Sequence, residues 1–312
     1  EEHATPLRLE NLAHFRQIVL AELTPSESEH LFQLVLEQLF PGSQGAAPGL
    51  VENLVAHAQG NPFYLEELLR YLHDQGFDPH AHQVLECIDL PDSLHALVLS
   101  RIDQLQDQQK MTLKLASVIG RVFTLHWLHG YYPEQGTPAE IQANLDVLSR
   151  LDLTPLDIPG ANPAYIFKHI ITREVAYESL SFAARAELHE RLAQFIEAMP
   201  GSIEERGMLE TLAYHYARSH NLPKQREYLL RASEAALAVS AFTTVLEYLV
   251  HLDALVPADD PDRCSLSLKL AQAHYRLGDY PAAHAAIERA QATATTDVER
   301  ANALVALGEM IN

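Results

Sequence analysis

Cysteine is nearly absent from this 312-residue sequence: Cys87 and Cys264 are the only two, and they lie far apart. That excludes a disulfide framework and fits a reducing compartment, the cytoplasm. No apolar run approaches the roughly 18 residues needed to cross a bilayer. The opening Glu1-Glu2-His3 has neither a basic segment nor an apolar stretch behind it, so no signal peptide is read there. It also lacks an initiator Met, which reads as a fragment of a longer protein. Basic residues are scarce: 22 Lys and Arg stand against 42 Asp and Glu, a formal charge of −20. Phosphate contacts dominate nucleic-acid affinity, so this balance speaks against nucleic acid as the main partner. No Gly-x-x-x-x-Gly-Lys-Ser/Thr occurs, and no acidic residue follows an apolar strand in the manner of a Mg²⁺-binding carboxylate. The chain therefore has no phosphate-cradling loop, and no catalytic residue is expected in it. His-Glu-x-x-His is missing too. The densest groups among 17 His residues are His80-Ala81-His82, His126-Trp127-Leu128-His129 and His215 with His220. None has a Cys or carboxylate at a familiar ligand spacing, so a solvated face is expected and no metal site.

What is present is helix. An apolar fraction of 47% is that of a globular protein, and the length suits two or three compact units. Thr24-Pro25-Ser26-Glu27 is a helix start, with Thr as N-cap, Pro first and Glu third. Leu31, Leu34, Val35 and Leu39 then mark one face, and Pro41-Gly42-Ser43-Gln44-Gly45 breaks the helix. A second helix near 49–59 ends at Gly60. Asn61-Pro62 restarts helix, with Leu65, Leu68, Leu69 and Leu72 at i, i+3, i+4, i+7. A loop is expected over 74–91, punctuated by Asp78-Pro79 and Leu90-Pro91.

Three more helical patterns follow, the first near 93–105. Met111, Leu115 and Val118 mark the next, closed by Gly120. Thr137-Pro138-Ala139-Glu140 opens the third, through Ile141, Leu145, Leu148 and Leu151. Over 152–168 the period changes. Leu153, Leu156 and Ile158 precede Pro159-Gly160-Ala161-Asn162-Pro163 and Tyr165-Ile166-Phe167, which predicts a short hairpin. Three helices followed by one hairpin is the pattern of a winged helix.

From about residue 182 the chain is helical again. The stretch Leu270-Ala271-Gln272-Ala273-His274-Tyr275-Arg276-Leu277-Gly278-Asp279-Tyr280-Pro281, continuing to Ala290, matches a tetratricopeptide repeat. Its small residues let paired helices approach, with Tyr275 and Tyr280 expected to fill between them. A degenerate copy runs through His215-Tyr216, Leu222-Pro223, Leu229 and Ala232, and a third begins at Phe242. Residues 296–310 read as the first helix of a further repeat.

These pieces resemble the STAND-class signal-transduction ATPases of bacterial regulators, the kind joined to adenylate/guanylate cyclase, protein kinase or transcriptional activator domains. The residues that carry the resemblance are Gly60-Asn61-Pro62-Phe63-Tyr64-Leu65-Glu66-Glu67-Leu68, Leu90-Pro91-Asp92-Ser93-Leu94, Arg101-Ile102-Asp103-Gln104-Leu105, Ala116 to Phe123, Phe167-Lys168-His169-Ile170-Ile171-Thr172-Arg173, and Arg185-Ala186-Glu187-Leu188-His189. The resemblance implies a lid and a winged helix that close over a nucleotide held by an upstream core. It implies that Pro62 contacts the adenine side. His169, in a segment similar to the Met-His-Asp motif with only the His kept, would sense the terminal phosphate of ADP. ATP or ADP would then be the cofactor of the parent and not of this chain alone. Residues 7–23, with Ile18-Val19-Leu20, would be the last strand of that core or its link.

Each residue also has a plainer reading. Asn61-Pro62 is a good helix N-terminus in its own right. His169 can be a core histidine beside the wing. The expected fold is all-α: a helical lid over 1–83, a winged-helix unit with a small hairpin over 84–181, and a tetratricopeptide-type solenoid over 182–312. The expected role is a regulatory, protein-interaction segment without enzymatic activity, binding a protein or peptide through its repeats. The alternatives are a free-standing tetratricopeptide adaptor and a winged-helix DNA binder. Against the latter, the helix that would enter a groove, 138–151, carries Glu140 and Asp146 with only Arg150 positive.

Overall fold

A computed structural model describes residues 14, 16, 19, 21–41, 45–46, 49–76, 90–91, 93–200 and 207–311, the last three by backbone alone. The strand expected at Ile18-Val19-Leu20, the His80-Ala81-His82 group, Cys87 and the Asp78-Pro79 punctuation fall wholly or largely outside them. The chain forms two compact units, Glu1–Leu105 and Gln106–Asn312. Among the described residues the backbone is all-α apart from one three-stranded sheet.

The first unit holds α1 (Pro25–Leu39), α2 (Leu50–Ala58), α3 (Pro62–Asp74) and α4 (Leu94–Asp103). Helix α1 begins with the expected capping box: the Thr24 hydroxyl accepts from the Glu27 N–H, and the Glu27 carboxylate accepts from the Thr24 N–H. Its buried face differs from the expected one. Phe32, Val35 and Leu36 point inward, and Leu34 is 53% exposed. The i, i+3, i+4, i+7 stripe starts at Phe32, and Leu34 lies about 200° around the helix from it. Phe32 and Leu36 pack with Leu50, Leu54, Leu65, Leu68, Leu69, Leu72 and Leu97 in a single core. Full burial of each such side chain contributes about 1.5–3 kcal/mol.

The second unit begins with α5 (Asp107–Ile119), β1 (Val122–Thr124), α6 (Leu125–Tyr131), a 3-10 turn, and α7 (Pro138–Arg150). It continues with β2 (Leu156–Ile158), β3 (Ala164–Ile166) and α8 (Ile170–Glu178). The sheet order is β1-β3-β2, both pairs antiparallel. The sequence pattern predicts only the β2–β3 hairpin, so β1 is an addition. Gly120, at φ +150°, ends α5 in a backbone conformation closed to most L-residues and turns the chain into β1. Phe123 of β1 then stacks on Tyr165 and packs on Phe167. Helix α6 likewise has no counterpart among the helices expected from the pattern. It is seven residues long, and Thr124 caps it by accepting from the Trp127 N–H.

The rest is antiparallel helix packing: α9 (Phe182–Ala198), α10 (Met208–Tyr216), α11 (Leu222–Ala238), α12 (Phe242–Leu255), α13 (Arg263–Arg276), α14 (Tyr280–Thr293) and α15 (Asp297–Ile311). Each packs on the next, as in an α-solenoid. The tightest pair, α13 with α14, meets through buried Ala271, Ala273, Ala283, Ala286 and Ala290. Tyr280 does not fill that seam. It is 57% exposed and meets Tyr275 edge-on, because at the first position of α14 its side chain lies outside the Ala stripe. No helix among the described residues is long and apolar enough to cross a membrane.

Candidate functional site

Asn61 and Pro62 stand at the head of α3. Gly60 just before them is left-handed, at φ +76°. Its carbonyl accepts from the Leu23 N–H at 2.9 Å. A Cβ placed on Gly60 would stand 2.6 Å from the Leu23 carbonyl oxygen, so only glycine suits both the φ and the approach. The Asn61 side chain accepts from the Tyr64 N–H at 3.1 Å, and Pro62 takes the first helical position, exposed to solvent. Tyr64 Oη donates to the Pro91 carbonyl at 2.6 Å, and Glu67 pairs with Arg101 of α4. The helix start is thus a rigid turn with an exposed pyrrolidine ring on top. Both readings of Asn61-Pro62 fit this geometry.

His169 belongs to the second unit. The last strand of the sheet ends at Ile166, and α8 starts at Ile170 with His169 as its N-cap in extended conformation. The cap is made by backbone, and the His169 side chain is half-buried. The flanking residues fix its place. The Phe167 N–H donates to the Arg121 carbonyl at 2.8 Å, and Phe167 is fully buried. Lys168 pairs with Asp152, which follows α7 in left-handed conformation, φ +61°. Arg173, one turn on, donates from Nε to the Ser117 carbonyl at the end of α5.

A further polar cluster escaped the sequence reading. His189 of α9 and His215 of α10 are 0% and 2% exposed, and their Nδ1 atoms lie 2.8 Å apart. Tyr177 of α8 places its hydroxyl 2.9 Å from His189 Nε2. Burial first, then the neighbouring arginine charges and, for His189, His215 as well, press both imidazoles down to about 3. His215 therefore does not sit on a solvated face as expected from its spacing to His220. Among the described residues, no group of three or more His, Cys, Asp or Glu converges as metal ligands would.

The repeats carry two open grooves. One, of about 670 Å³, is lined by Leu222, Leu230, Leu255, Leu266 and Pro257, with Arg226 and Lys269 among its polar members. The other, of about 290 Å³, lies on α13 to α15 and brings together Leu268, Gln272, Tyr275, Arg276 and Asn302.

No protein-family model matches the chain. Over 237 residues it is 24% identical to an uncharacterized protein of Rhizobium meliloti (strain 1021), an alignment covering 73% of this chain and 22% of that protein. Among solved structures it is similar to a signal transduction ATPase with numerous domains (STAND) from Pyrococcus horikoshii that carries a tetratricopeptide repeat sensor. That match has 13% identity and a TM-score of 0.38, and covers 93% of this chain and 44% of that one. Such a superposition is too loose to establish a common fold.

Proposed function

We propose that this chain is the regulatory and partner-binding segment of a nucleotide-switched signalling ATPase of STAND type. On this reading residues 1–83 hold the lid, residues 84–181 with the sheet are a winged helix, and residues 182–312 are a tetratricopeptide-type sensor or transmitter. The observation that carries it is the position of His169. It stands where the sheet passes into α8, at a helix N-terminus, where backbone N–H groups favour anions. An imidazole there can donate to a phosphate oxygen, and Pro62, exposed at the head of α3, offers an apolar surface to an adenine ring. In the complete protein these two residues would bind ADP from the lid side while the upstream core holds the phosphates. Exchange for ATP would weaken the His169 contact and release the winged helix, a two-state element biased by differential contacts. Catalysis would belong to that core, since positioning and charge neutralisation of phosphates supply nearly all of it.

The test is His169→Ala and Pro62→Ala in the complete parent protein. Faster ADP release and raised basal output are expected for the former, weaker adenine-nucleotide binding for the latter. Unchanged ADP retention in both would reject the nucleotide role.

The two grooves on the repeats favour a second reading, a protein- or peptide-binding adaptor with no nucleotide role. It predicts partner capture by the full chain that is indifferent to His169→Ala and to added ADP. DNA binding is disfavoured: Glu140 and Asp146 lie on α7, with Arg150 alone in its last turn.

A further inference from the structure

The His189–His215 contact has room for one proton only. With the Nδ1 atoms 2.8 Å apart, one ring donates Nδ1–H and the other accepts with a bare Nδ1. His189 Nε2 takes whichever role is left toward the Tyr177 hydroxyl, 2.9 Å away. Three elements, α8, α9 and α10, are thereby joined by a chain of single hydrogen bonds through two neutral imidazoles.

The surroundings oppose any added charge. From α8, Arg173 lies over the Tyr177 ring at 5.8 Å. From α9, Arg185 lies over the same ring at 4.8 Å. Following α10, Arg218 lies over Tyr214 at 3.7 Å, and Tyr214 packs edge-on against both histidines. The three guanidiniums spend hydrogen bonds on main-chain carbonyls at helix ends, namely Ser117, Leu180 with Glu178, and Tyr214. Glu190, next to His189, turns to Asn221 and Gln194, and Lys224 of α11 turns to Glu197. Among the described residues the charges that bear on the two rings are therefore cationic, with no carboxylate to settle an imidazolium. A first proton would satisfy the hydrogen-bond geometry but place a buried cation among three others. A second would set two N–H groups against each other and break the link.

We infer that the Tyr177–His189–His215 chain is a proton-sensitive latch, closed at neutral pH, which ties the helix repeats to the sheet-bearing part of the second unit and loosens under mild acid. An open state with ordinary histidines takes up protons as the pH drops below about 6.5, while the closed state resists until about 3. The closing contribution is therefore complete above about 6.5 and is lost progressively as the pH falls from there toward 3. Well inside that window each histidine weakens closure about tenfold per pH unit and the pair about a hundredfold, and the dependence is shallower near 6.5. The inference does not depend on the nucleotide reading.

Hydrogen exchange of the full chain at pH 7.5, 6.5 and 5.5, corrected for intrinsic rates, tests it. Protection of α9 and α10 relative to α13 and α14 should fall about thirtyfold between pH 6.5 and 5.5. His215→Phe should reduce that to about fivefold. If this variant does not fold, NMR of the wild-type imidazoles decides alone: one Nδ1–H and one Nε2–H tautomer, both unchanged from pH 8 to 6.5. Protection of α9 and α10 that is independent of pH, an unchanged slope in a folded His215→Phe, or either ring titrating in the closed state near 6.5 would overturn it.

Discussion

Glu67 of α3 and Arg101 of α4 form an ion pair whose side chains are 7% and 6% exposed, with Asp74 a second carboxylate 3.6 Å from Arg101 Nε. Both helices otherwise present apolar faces to the same core, so this pair fixes which turn of α4 meets which turn of α3. It lies on the same helix that Asn61 and Pro62 begin, and ties that helix to residues near the end of the first unit.

Removing one partner leaves the other charge buried and uncompensated. Arg101→Ala should destabilise the first unit by about 3–5 kcal/mol, whereas the volume-conserving double change Glu67→Leu, Arg101→Met should recover most of that loss. Urea midpoints of the full chain, with hydrogen exchange to assign the transition to α3 and α4, measure both. Equal losses in the single and double variants would contradict this account.

Gly60→Ala should cost about 1–3 kcal/mol, combining a left-handed alanine with a Cβ that meets the Leu23 carbonyl. The local signature is faster exchange of the Leu23 amide, whose bond to Gly60 must lengthen. An unchanged Leu23 amide would show that the turn adapts freely.

Glu197 of α9 accepts from Lys224 Nζ at 2.6 Å and from Tyr216 Oη at 2.5 Å, and so joins α9, α10 and α11. Partial burial works against its ionised form, but the bonds from Lys224 and Tyr216 prevail and hold the carboxyl below its ordinary value. Its contribution is complete above pH about 4.5 and is lost as pH falls through the lowered folded value. Glu197→Ala should cost about 1.5–3 kcal/mol at neutral pH and flatten the stability profile below pH 4.5, read by urea midpoints across pH. An unaltered acid limb would remove Glu197 from the account.

Cys264 is buried against Ala290 and Ala303, and burial raises its thiol above the ordinary range. In native protein its alkylation should track unfolding of α13 to α15 and accelerate with denaturant. Alkylation of Cys264 at the rate of a free thiol would mean that those helices open without unfolding.

Periodicity and caps made much of this fold legible. Leu65, Leu68, Leu69 and Leu72 are all buried as their spacing requires, and Thr24, Asn61 and Thr137 cap the helices they were expected to cap. These signals are local: a stripe recurs within one turn, and a cap reaches three residues. Local pattern also predicts the hairpin over 152–168, and His169 follows its last strand as the N-cap of α8. The pattern could not supply β1, whose three residues carry no period and are strand only because β3 lies beside them.

What the sequence determined by itself is the order of the longer helices, the absence of a phosphate loop and the Ala-rich seam of the last repeats. Each depends on residues within a turn or two of one another. Tertiary structure alone decided that Phe32 and not Leu34 faces the core of α1, and that Glu67 meets Arg101 across 34 positions. It also decided that His189 and His215, 26 positions apart, share one proton in a buried interior. Single-sequence patterns report which face of an element is apolar. They do not report which two elements meet, and buried polar chemistry arises where they do.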